Sequence, residues 1–401
     1  MGPASASQAE PPKGVRDFQQ PPLDQAQPAY NRSIVTLRVR LSVLCVVAAT
    51  WTVVAQTPAG PGFGALVERL SEPGGDFGGD NLISNEQSYL RVMPALEDAR
   101  VTGGAYIGVG PDQNFSYIAQ IRPRIAYVVD IRRDNLLLQL LFKAIFLRAA
   151  TPMEYLCALT DRAAPASIDA PRAADIQTVV ASVDRAPTLT PSDQAALQNE
   201  LDQSMRSFGV PLSAGDMSTI HAFHQQFVSA GLSIVFQVRG QGPRSYYPSL
   251  RTLLLETDGR GHQRSFLAAV PTYQVVRALE EQDLIVPVVG DVSGAKAMRA
   301  IADDMRARGA PLSAFYISNV EQYLFQDGRF PSWVGNLQRL PRDDRSTIIR
   351  SVFPSGFRAA LPQSLPGYYS ASLTQPVSRM LSEFAAAKYY SYADLILASA
   401  R

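Results

Sequence analysis

Two glycines and an aspartate of this sequence have the spacing of a nucleotide-binding turn. Gly108 and Gly110 end the apolar part of GGAYIGVGPDQNF (residues 103–115), and Asp130 follows about 20 positions later. In a nucleotide-binding βαβ unit the glycines let the backbone approach the ligand, and the next helix points free N–H groups at it. An acidic residue at the end of the second strand accepts hydrogen bonds from ribose hydroxyls. The spacing therefore predicts cofactor contacts at Gly108, Gly110 and Asp130.

The helix that follows these glycines departs from the dinucleotide fingerprint G-x-G-x-x-G. Gln113 stands where the third glycine would be, and Asp112 in the first turn would repel a pyrophosphate. We therefore expect a ligand with a ribose but no phosphate, such as S-adenosylmethionine, with Asp112 and Asn114 among its contacts. The alternative is a tight turn between strand and helix, in which Asp130 only caps the helix that starts near residue 134.

Two further polar clusters follow predicted strands, and parallel strands bring their carboxyl ends to one crevice. Asp291 lies in the turn GDVSGAK (residues 290–296), and Asn319 and Glu321 lie in ISNVEQY. At this crevice Asn319 could orient an acceptor, and Glu321 could act as a catalytic base. The alternative is that Ser318 and Asn319 only cap the next helix.

Arg132 and Arg133 follow the second strand and could bind a carboxylate or phosphate of the ligand through paired hydrogen bonds. The alternative for this pair is a solvated helix start beside nearby acids. Near residue 83, ISNEQSYL echoes ISNVEQY, so Asn85 and Glu86 could cover the same crevice. The ligand therefore stays open between a nucleoside-like and an anionic molecule.

Alternation of strands with helices predicts an α/β fold, with strands at 104–110, 125–130, 284–289, 312–318 and 346–352. These strands are continuous apolar runs, which is typical of parallel strands covered on both faces. We expect a Rossmann-like open, mostly parallel sheet with helices on both faces in residues 60–401, plus a helical insertion at about 161–232. Residues 81–99 are predicted to form a helix capped by Ser84 or Asn85.

Long blocks of the sequence resemble the signature blocks of a family of uncharacterised bacterial proteins. They are DNLISNEQSYL, GGAYIGVGPDQNFSYIAQIRPRIAYVVDIRRDN, LIVPVVGDVSGAKAMRAI and SAFYISNVEQYL, and the resemblance covers roughly residues 65–390. It implies a Rossmann-like domain similar to class I methyltransferases. No activity comes with the resemblance, so it bears on the fold and leaves the reaction open.

The N-terminal region is predicted to direct the chain out of the cytoplasm. Residues 1–33 are rich in proline and poor in large apolar side chains, which predicts a disordered tail. Residues 34–55 run from Arg38 and Arg40 through an uncharged apolar stretch to small residues, the order of a secretory signal peptide. The apolar run is shorter than the ~20 residues that a membrane span needs. We expect a cleaved signal, a periplasmic or extracellular location and no stable membrane span, or alternatively an anchor formed by an uncleaved signal.

Composition and isolated residues argue against several classes of function. A net charge of +1 gives no field that would attract nucleic acid. Cys45 and Cys157 lie far apart without metal or redox spacing, and His221 and His224 have no accompanying ligand motif. We predict a small-molecule ligand, no nucleic-acid partner and no metal site, and we make no prediction about the oligomeric state.

Two classes of function are consistent with these residues. The first is a small-molecule transferase that resembles S-adenosylmethionine-dependent methyltransferases, with Gly108, Gly110 and Asp130 at the cofactor. The second is an exported binding or scaffold protein without turnover. Export weighs against the first class because S-adenosylmethionine is a cytoplasmic metabolite, so this cofactor is expected only if the protein stays in the cytoplasm.

Residues 1–60 fused to a reporter that is active only outside the cytoplasm should give an active fusion, because the apolar run would carry the reporter across the membrane. Val46→Asp places a charge in that run and should silence the fusion, which makes it the matched control. A silent wild-type fusion would contradict export and favour the cytoplasmic transferase.

Overall fold

Six strands pair into one sheet within residues 62–165, 175–238, 240–241, 244–353 and 361–400, which the computed structural model describes. The order in the sheet is β3-β2-β1-β4-β5-β6. The strands are β1 (Ala105–Val109), β2 (Ile125–Asp130), β3 (Ile285–Val289), β4 (Leu312–Ser318), β5 (Arg342–Val352) and β6 (Ala371–Pro376). The predicted tail at 1–33 and signal peptide at 34–55 lie outside the described residues.

The first four strands are buried on both faces, as is typical of parallel strands covered by crossover helices. Every residue of β1 and β3 is buried, and β2 and β4 are buried up to their last residue. Such runs have no polar face to turn to water, so other elements must cover both faces. β5 continues the parallel sheet beside β4, and β6 closes the edge antiparallel to β5. The predicted α/β fold with an open, mostly parallel sheet is confirmed, in the doubly wound order apart from the direction of β6.

Helices connect and cover these strands. They are α1 (Phe63–Leu70), α2 (Met93–Asp98), α3 (Gln113–Ile121), α4 (Arg133–Arg148), α5 (Pro152–Leu159), α6 (Ile176–Arg185), α7 (Pro191–Ser207), α8 (Ala214–Ala230), α9 (Leu250–Leu255), α10 (Val270–Glu281), α11 (Ala297–Ala307), α12 (Val320–Gln326), α13 (Phe330–Arg339), α14 (Val377–Ala385) and α15 (Tyr392–Ser399). Among the helices in the described ranges, none combines the length and the apolar character needed to cross a membrane.

Residues 81–99 differ from the single helix predicted there. Gln87–Val92 forms a 3₁₀ turn, and the α-helix begins only at Met93 with Pro94 in its first turn. Pro94 has no N–H for a hydrogen bond to the preceding turn, and its ring would clash with that turn, so an α-helix cannot run through it. Ser84 accepts the N–H of Glu86 at 3.0 Å and does not cap a helix.

Residues 176–230 fold as α6, α7 and α8, and each helix begins with a side-chain cap. Asp175, Thr190 and Ser213 each accept the backbone N–H of the residue three positions later. Such a cap stabilises a helix by about 1 kcal/mol. α7 and α8 pack on α4, and α6 packs on α5. This segment is therefore built onto other helices and contributes no strand to the sheet.

The turn after β1 is held by one asparagine. Asn114 Nδ2 donates to three successive carbonyls at 3.0, 3.2 and 2.7 Å, those of Val109, Gly110 and Pro111. Its Oδ1 accepts the Tyr106 hydroxyl at 2.8 Å. Gly110 has a φ of +81°, which favours glycine, and a Cβ at Gly108 would clash with Asn114 Oδ1 and the Tyr106 hydroxyl. Both glycines are therefore required by the turn itself.

Gly108→Ala should lower the free energy of unfolding by about 2–4 kcal/mol, because the new methyl would displace the buried Asn114 amide from its partners. Gly335→Ala is the matched control, since its nearest neighbour is the tip of Arg339 at 3.7 Å. As a glycine inside α13, Gly335→Ala should stabilise the protein by about 0.5–1 kcal/mol. Urea unfolding measures both changes. A wild-type free energy of unfolding in Gly108→Ala would contradict the role given to Gly108 in the turn.

Candidate functional site

A cleft of about 680 Å³ opens at the carboxyl ends of the parallel strands. Four residues predicted from the sequence line it, namely Gly110, Asp130, Asp291 and Asn319. Each lies at or just beyond the end of a different strand, from β1 to β4. Parallel pairing is what brings residues so distant along the chain to one edge of the sheet. The structure therefore assembles these four residues around one space.

A segment without a helix or a regular strand, residues 71–86, forms one wall of the cleft and is called the strap below. The backbone N–H groups of Glu72 and Gly75 donate to carbonyls at the ends of β3 and β2, at 2.9 and 2.7 Å. Further along, Glu86 is hydrogen-bonded to Ser318 at the end of β4. The strap thus crosses the strand ends in turn, and many of its residues between Asp76 and Glu86 line the cleft.

Asp130 presents a carboxylate that Arg132 already binds on one side. The Arg132 backbone N–H and Nε donate to Oδ1 at 2.9 and 3.2 Å, and its Nη2 donates to Oδ2 at 3.1 Å. A carboxylate oxygen can accept two hydrogen bonds, so these bonds leave a further acceptor position on Oδ2. Since Asp130 lines the cleft, it can accept one ligand hydroxyl at that position.

The two arginines after β2 do not form the predicted clamp for an anion. Arg132 is 3% exposed, and its Nη1 donates to the carbonyls of Gly79 and Asp80 at 2.9 and 3.1 Å. Arg133 donates to the Asp216 carboxylate at 2.9 and 3.1 Å. Both guanidiniums therefore hold groups of the protein. Arg132 positions its neighbouring carboxylate and the strap, and it is not among the residues that line the cleft.

Three of the predicted contacts in the first turn do not line the cleft. Gly108 and Asn114 are buried inside the turn, and Asp112 does not line the cleft either. Burial raises the pKa of Asp112 to about 7, although backbone hydrogen bonds oppose the shift. At neutral pH this carboxyl is therefore partly protonated, and its repulsion of an anion is weaker than the sequence predicts. Of the predicted first-turn contacts, Gly110 reaches the cleft.

A carboxylate of the protein itself fills the turn after β3. Glu72 of the strap accepts the N–H of Asp291 at 2.8 Å and that of Ala297 at 3.1 Å. Because Ala297 begins α11, Glu72 lies where a helix N-terminus attracts an anion. Asp291 in turn accepts the N–H and hydroxyl of Ser293 and pairs with Arg329. The turn GDVSGAK is thus satisfied from within, and the Asp291 carboxylate reaches the cleft as a pair with Arg329.

Glu321, predicted as a catalytic base, lies away from the cleft in a buried ion pair. Arg350 donates to it from Nε at 2.7 Å and from Nη2 at 3.2 Å, and both side chains are almost wholly buried. The Trp333 indole N–H adds a bond at 3.4 Å. Removing one partner of such a pair costs about 3–5 kcal/mol, so this carboxylate serves the core. Asn319, two residues earlier, does line the cleft.

A different carboxyl, that of Glu86, lies on the cleft between the ends of β4 and β5. It is 1% exposed and accepts hydrogen bonds from the hydroxyls of Ser318 and Ser351. Burial raises its pKa, and hydrogen bonds from these hydroxyls and from Tyr316 oppose the shift. Ser318 has a φ of +53°, so the backbone is strained where it supports this carboxyl. The echo between ISNEQSYL and ISNVEQY was the sequence signal for Glu86.

Gln113, which replaces the third glycine of the fingerprint, also lines the cleft. Its Nε2 donates to the Tyr316 hydroxyl, and its Oε1 makes no hydrogen bond within the described ranges although the residue is 5% exposed. An unpaired buried acceptor costs about 1–3 kcal/mol, so it favours a ligand that brings a donor. In the sequence, Gln113 indicates only that the third glycine of the fingerprint is absent. Its position at the cleft depends on the contact with Tyr316 of β4, which is distant along the chain.

The described lining of the cleft is acidic. Its one guanidinium is that of Arg329, and its carboxyl groups are those of Asp76, Glu86, Asp130, Asp291 and Asp327. Even with Arg132 behind Asp130, carboxyl groups outnumber guanidiniums, so the cleft disfavours anions. The described residues hold no group of three or more His, Cys, Asp and Glu side chains arranged for a metal ion. His221 instead contacts Asp202 at 2.9 Å, and His224 contacts the Ala158 carbonyl at 3.0 Å.

Comparison with known proteins relates the chain to a family whose function is not described. A family model for a domain of unknown function, DUF7790, matches residues 82–179 and 244–400, which together are more than half of the chain. The matched ranges contain all six strands described above and most of the cleft, and the stretch between them contains α7 and α8. No curated protein matches the chain.

Glu72→Ala should lower the free energy of unfolding by about 1–3 kcal/mol, because the N–H groups of Asp291 and Ala297 lose their acceptor. Sulfate should then restore part of the loss by binding at the start of α11. Glu68→Ala, an exposed change on α1, is the matched control for the general stabilising effect of sulfate. Thermal unfolding with sulfate or chloride at equal ionic strength measures the effect. A sulfate gain no larger in Glu72→Ala than in the control would contradict the assignment.

Proposed function

We propose that this chain, which belongs to the DUF7790 family, binds a nucleoside-like small molecule in the cleft at the carboxyl ends of β1 to β4. The observation that carries the proposal is the convergence of Gly110, Asp130, Asp291 and Asn319 on that one cleft. Gly110 allows close approach of the ligand to the backbone, and Asp130 accepts a ribose hydroxyl.

The charge of the cleft narrows the class of ligand. Glu72 fills the helix terminus that could hold a phosphate, and Arg132 and Arg133 are bound to groups of the protein. The remaining lining is rich in carboxyl groups and includes Gln113, whose buried Oε1 accepts no hydrogen bond within the described ranges. These features favour a neutral or positively charged ligand with several donors over the anionic ligand that the sequence left open.

The first candidate is an enzyme that binds this ligand as a cofactor and catalyses a methyltransferase-like transfer reaction. The ends of β2 and β5 are three strand positions apart, about 14 Å at the usual spacing, so a cofactor and an acceptor can lie side by side. S-adenosylmethionine has a ribose, a positive charge and no phosphate, which agrees with the charge of this cleft. It is a cytoplasmic metabolite, so it is the expected cofactor only if the protein is cytoplasmic. Asn319, which lines the cleft, would then orient the acceptor. The resemblance of the sequence blocks to an uncharacterised bacterial family implies a fold similar to class I methyltransferases, and it supports this candidate through the fold alone.

The second candidate is an exported binding protein without turnover. It is favoured by the burial of Glu321 against Arg350, which removes the predicted base from the cleft. Export itself rests on the N-terminal apolar run and is tested by the reporter fusion. In both candidates the ligand occupies the same space beside Asp130, so a binding experiment tests them together.

S-adenosylmethionine, S-adenosylhomocysteine or adenosine should stabilise the wild-type protein against thermal unfolding, and ATP should not. A ligand at 100 times its Kd adds about 2.7 kcal/mol. Asp130→Asn should weaken this binding by about 1.5–3 kcal/mol, because the ribose hydroxyl loses a charged acceptor.

Asp216→Asn is the matched control for this measurement. It also removes a carboxylate from an arginine pair, but it lies on α8 away from the cleft, so it should keep the full ligand effect. An undiminished effect in Asp130→Asn would remove that residue from the site. Stabilisation by ATP alone would overturn the charge argument.

A further inference from the structure

Four aromatic side chains line the cleft on the side of β5, and they are called the aromatic wall below. They are Phe236, Tyr247, Phe353 and Tyr369. Phe353 directly follows β5, and Tyr369 lies just before β6, which pairs with β5. The wall therefore extends beyond the strand ends that carry Gly110 and Asp130.

The rings of the wall meet edge to face or tilted, and they do not form one stack. Phe236 and Tyr247 are 5.0 Å apart at 79°, and Tyr247 and Tyr369 are 6.0 Å apart at 90°. Phe353 and Tyr369 are 5.8 Å apart at 58°. Tyr246 stacks on Tyr369 at 4.0 Å and holds that ring in place. These contacts cover part of each ring, and because Tyr247, Phe353 and Tyr369 line the cleft and are only partly buried, ring surface remains toward the cleft, where it can contact a cation.

The same part of the chain already holds a guanidinium beside a tyrosine, through a hydrogen bond to the Tyr246 hydroxyl. The Arg244 guanidinium lies 5.8 Å from the centroid of the Tyr246 ring, outside the cleft. Within the cleft, three members of the wall are only partly buried, namely Tyr247, Phe353 and Tyr369. These rings are therefore available as binding surface and are not part of the main core.

Glu86 lies at the same end of the cleft as the wall. Its partner Ser351 is two residues before Phe353, and its other partner, Ser318, ends β4. In the described part of the chain no lysine, arginine or histidine forms an ion pair with Glu86. Gln113, 5% exposed and linked to the nearby Tyr316, adds an acceptor oxygen without a partner in those residues. A carboxyl group at the aromatic end of the cleft, with an unpaired acceptor elsewhere in the same lining, favours a positively charged group.

We propose that the β4–β5 end of the cleft is a subsite for an alkyl-substituted ammonium group, held against the aromatic wall with Glu86 as its counter-ion. This inference rests on the proposed function only in placing a second ligand, or the acceptor, in the same cleft beside the nucleoside. The π-faces attract the positive charge, the carboxyl groups add to that attraction, and an anion of the same shape meets repulsion.

Three probes of equal shape and different charge test the subsite on the purified full-length chain. They are choline, its neutral isostere 3,3-dimethylbutan-1-ol and the anion 3,3-dimethylbutanoate. Titrations followed by NMR should give choline about tenfold tighter binding than the alcohol, with no binding of the anion. Equal affinity for choline and the alcohol, tightest binding of the anion, or binding of none of the three would each overturn the proposal.

Variants of the wall separate π-attraction from plain apolar contact. Tyr247→Leu and Tyr369→Leu keep an apolar side chain, so each should weaken choline binding about tenfold and leave the alcohol unchanged. Glu86→Gln should also weaken the binding of choline and leave the binding of the alcohol unchanged. Tyr390→Leu, at a tyrosine that is 85% exposed and outside the cleft, is the matched control and should bind choline like the wild type. Wild-type choline affinity in both wall variants would overturn the proposal.

Asp130→Asn distinguishes this subsite from the nucleoside site. Suppose that no adenosine compound stabilises the wild type and that choline binds the wild type and Asp130→Asn equally well. This result would support the subsite and reject the nucleoside site. Adenosine binding without choline binding would reject the subsite and sustain the nucleoside.

Discussion

The parallel pairing of β1 with β2 and β4 is the constraint on which the cleft depends. Parallel strands are joined by crossovers, so each of them delivers the following residue to the same edge, about 4.8 Å from its neighbour. The strand order reverses between β1 and β4, and Gly110 and Asn319 lie on the two sides of that reversal. Such a switch point leaves a crevice between connections that run to opposite faces of the sheet.

Around that crevice, many charged groups of the protein satisfy one another. Glu72 occupies the start of α11, Arg132 binds Asp130, and Arg350 binds Glu321. Buried charges must be paired, so residue types that suggest an anion site in the sequence are used to hold the strap and the core. What remains toward the cleft is an excess of carboxyl groups and a set of partly buried aromatic rings, which gives the cleft its preference for donors and cations.

Most of the strands and helices could be predicted because their signals are local. β2 and β4 begin and end where their apolar runs do, and both are buried up to the last residue. The helix expected at 81–99 failed because Pro94 interrupts it, although the apolar spacing on both sides is helical. β6 was not foreseen because ASLTQP is short and ends in proline, and it is a strand only because β5 pairs with it.

The sequence by itself determined that strands alternate with helices and which polar residues follow each strand, because burial and turn chemistry act between near neighbours along the chain. It could not determine which of those polar groups face the ligand. Glu321 and Glu86 occupy similar sequence contexts, yet Arg350 of β5 draws the first into the core and the strap carries the second to the cleft. The tertiary structure decided between them, because a carboxyl group's partner is set by contacts between segments that are far apart in the chain.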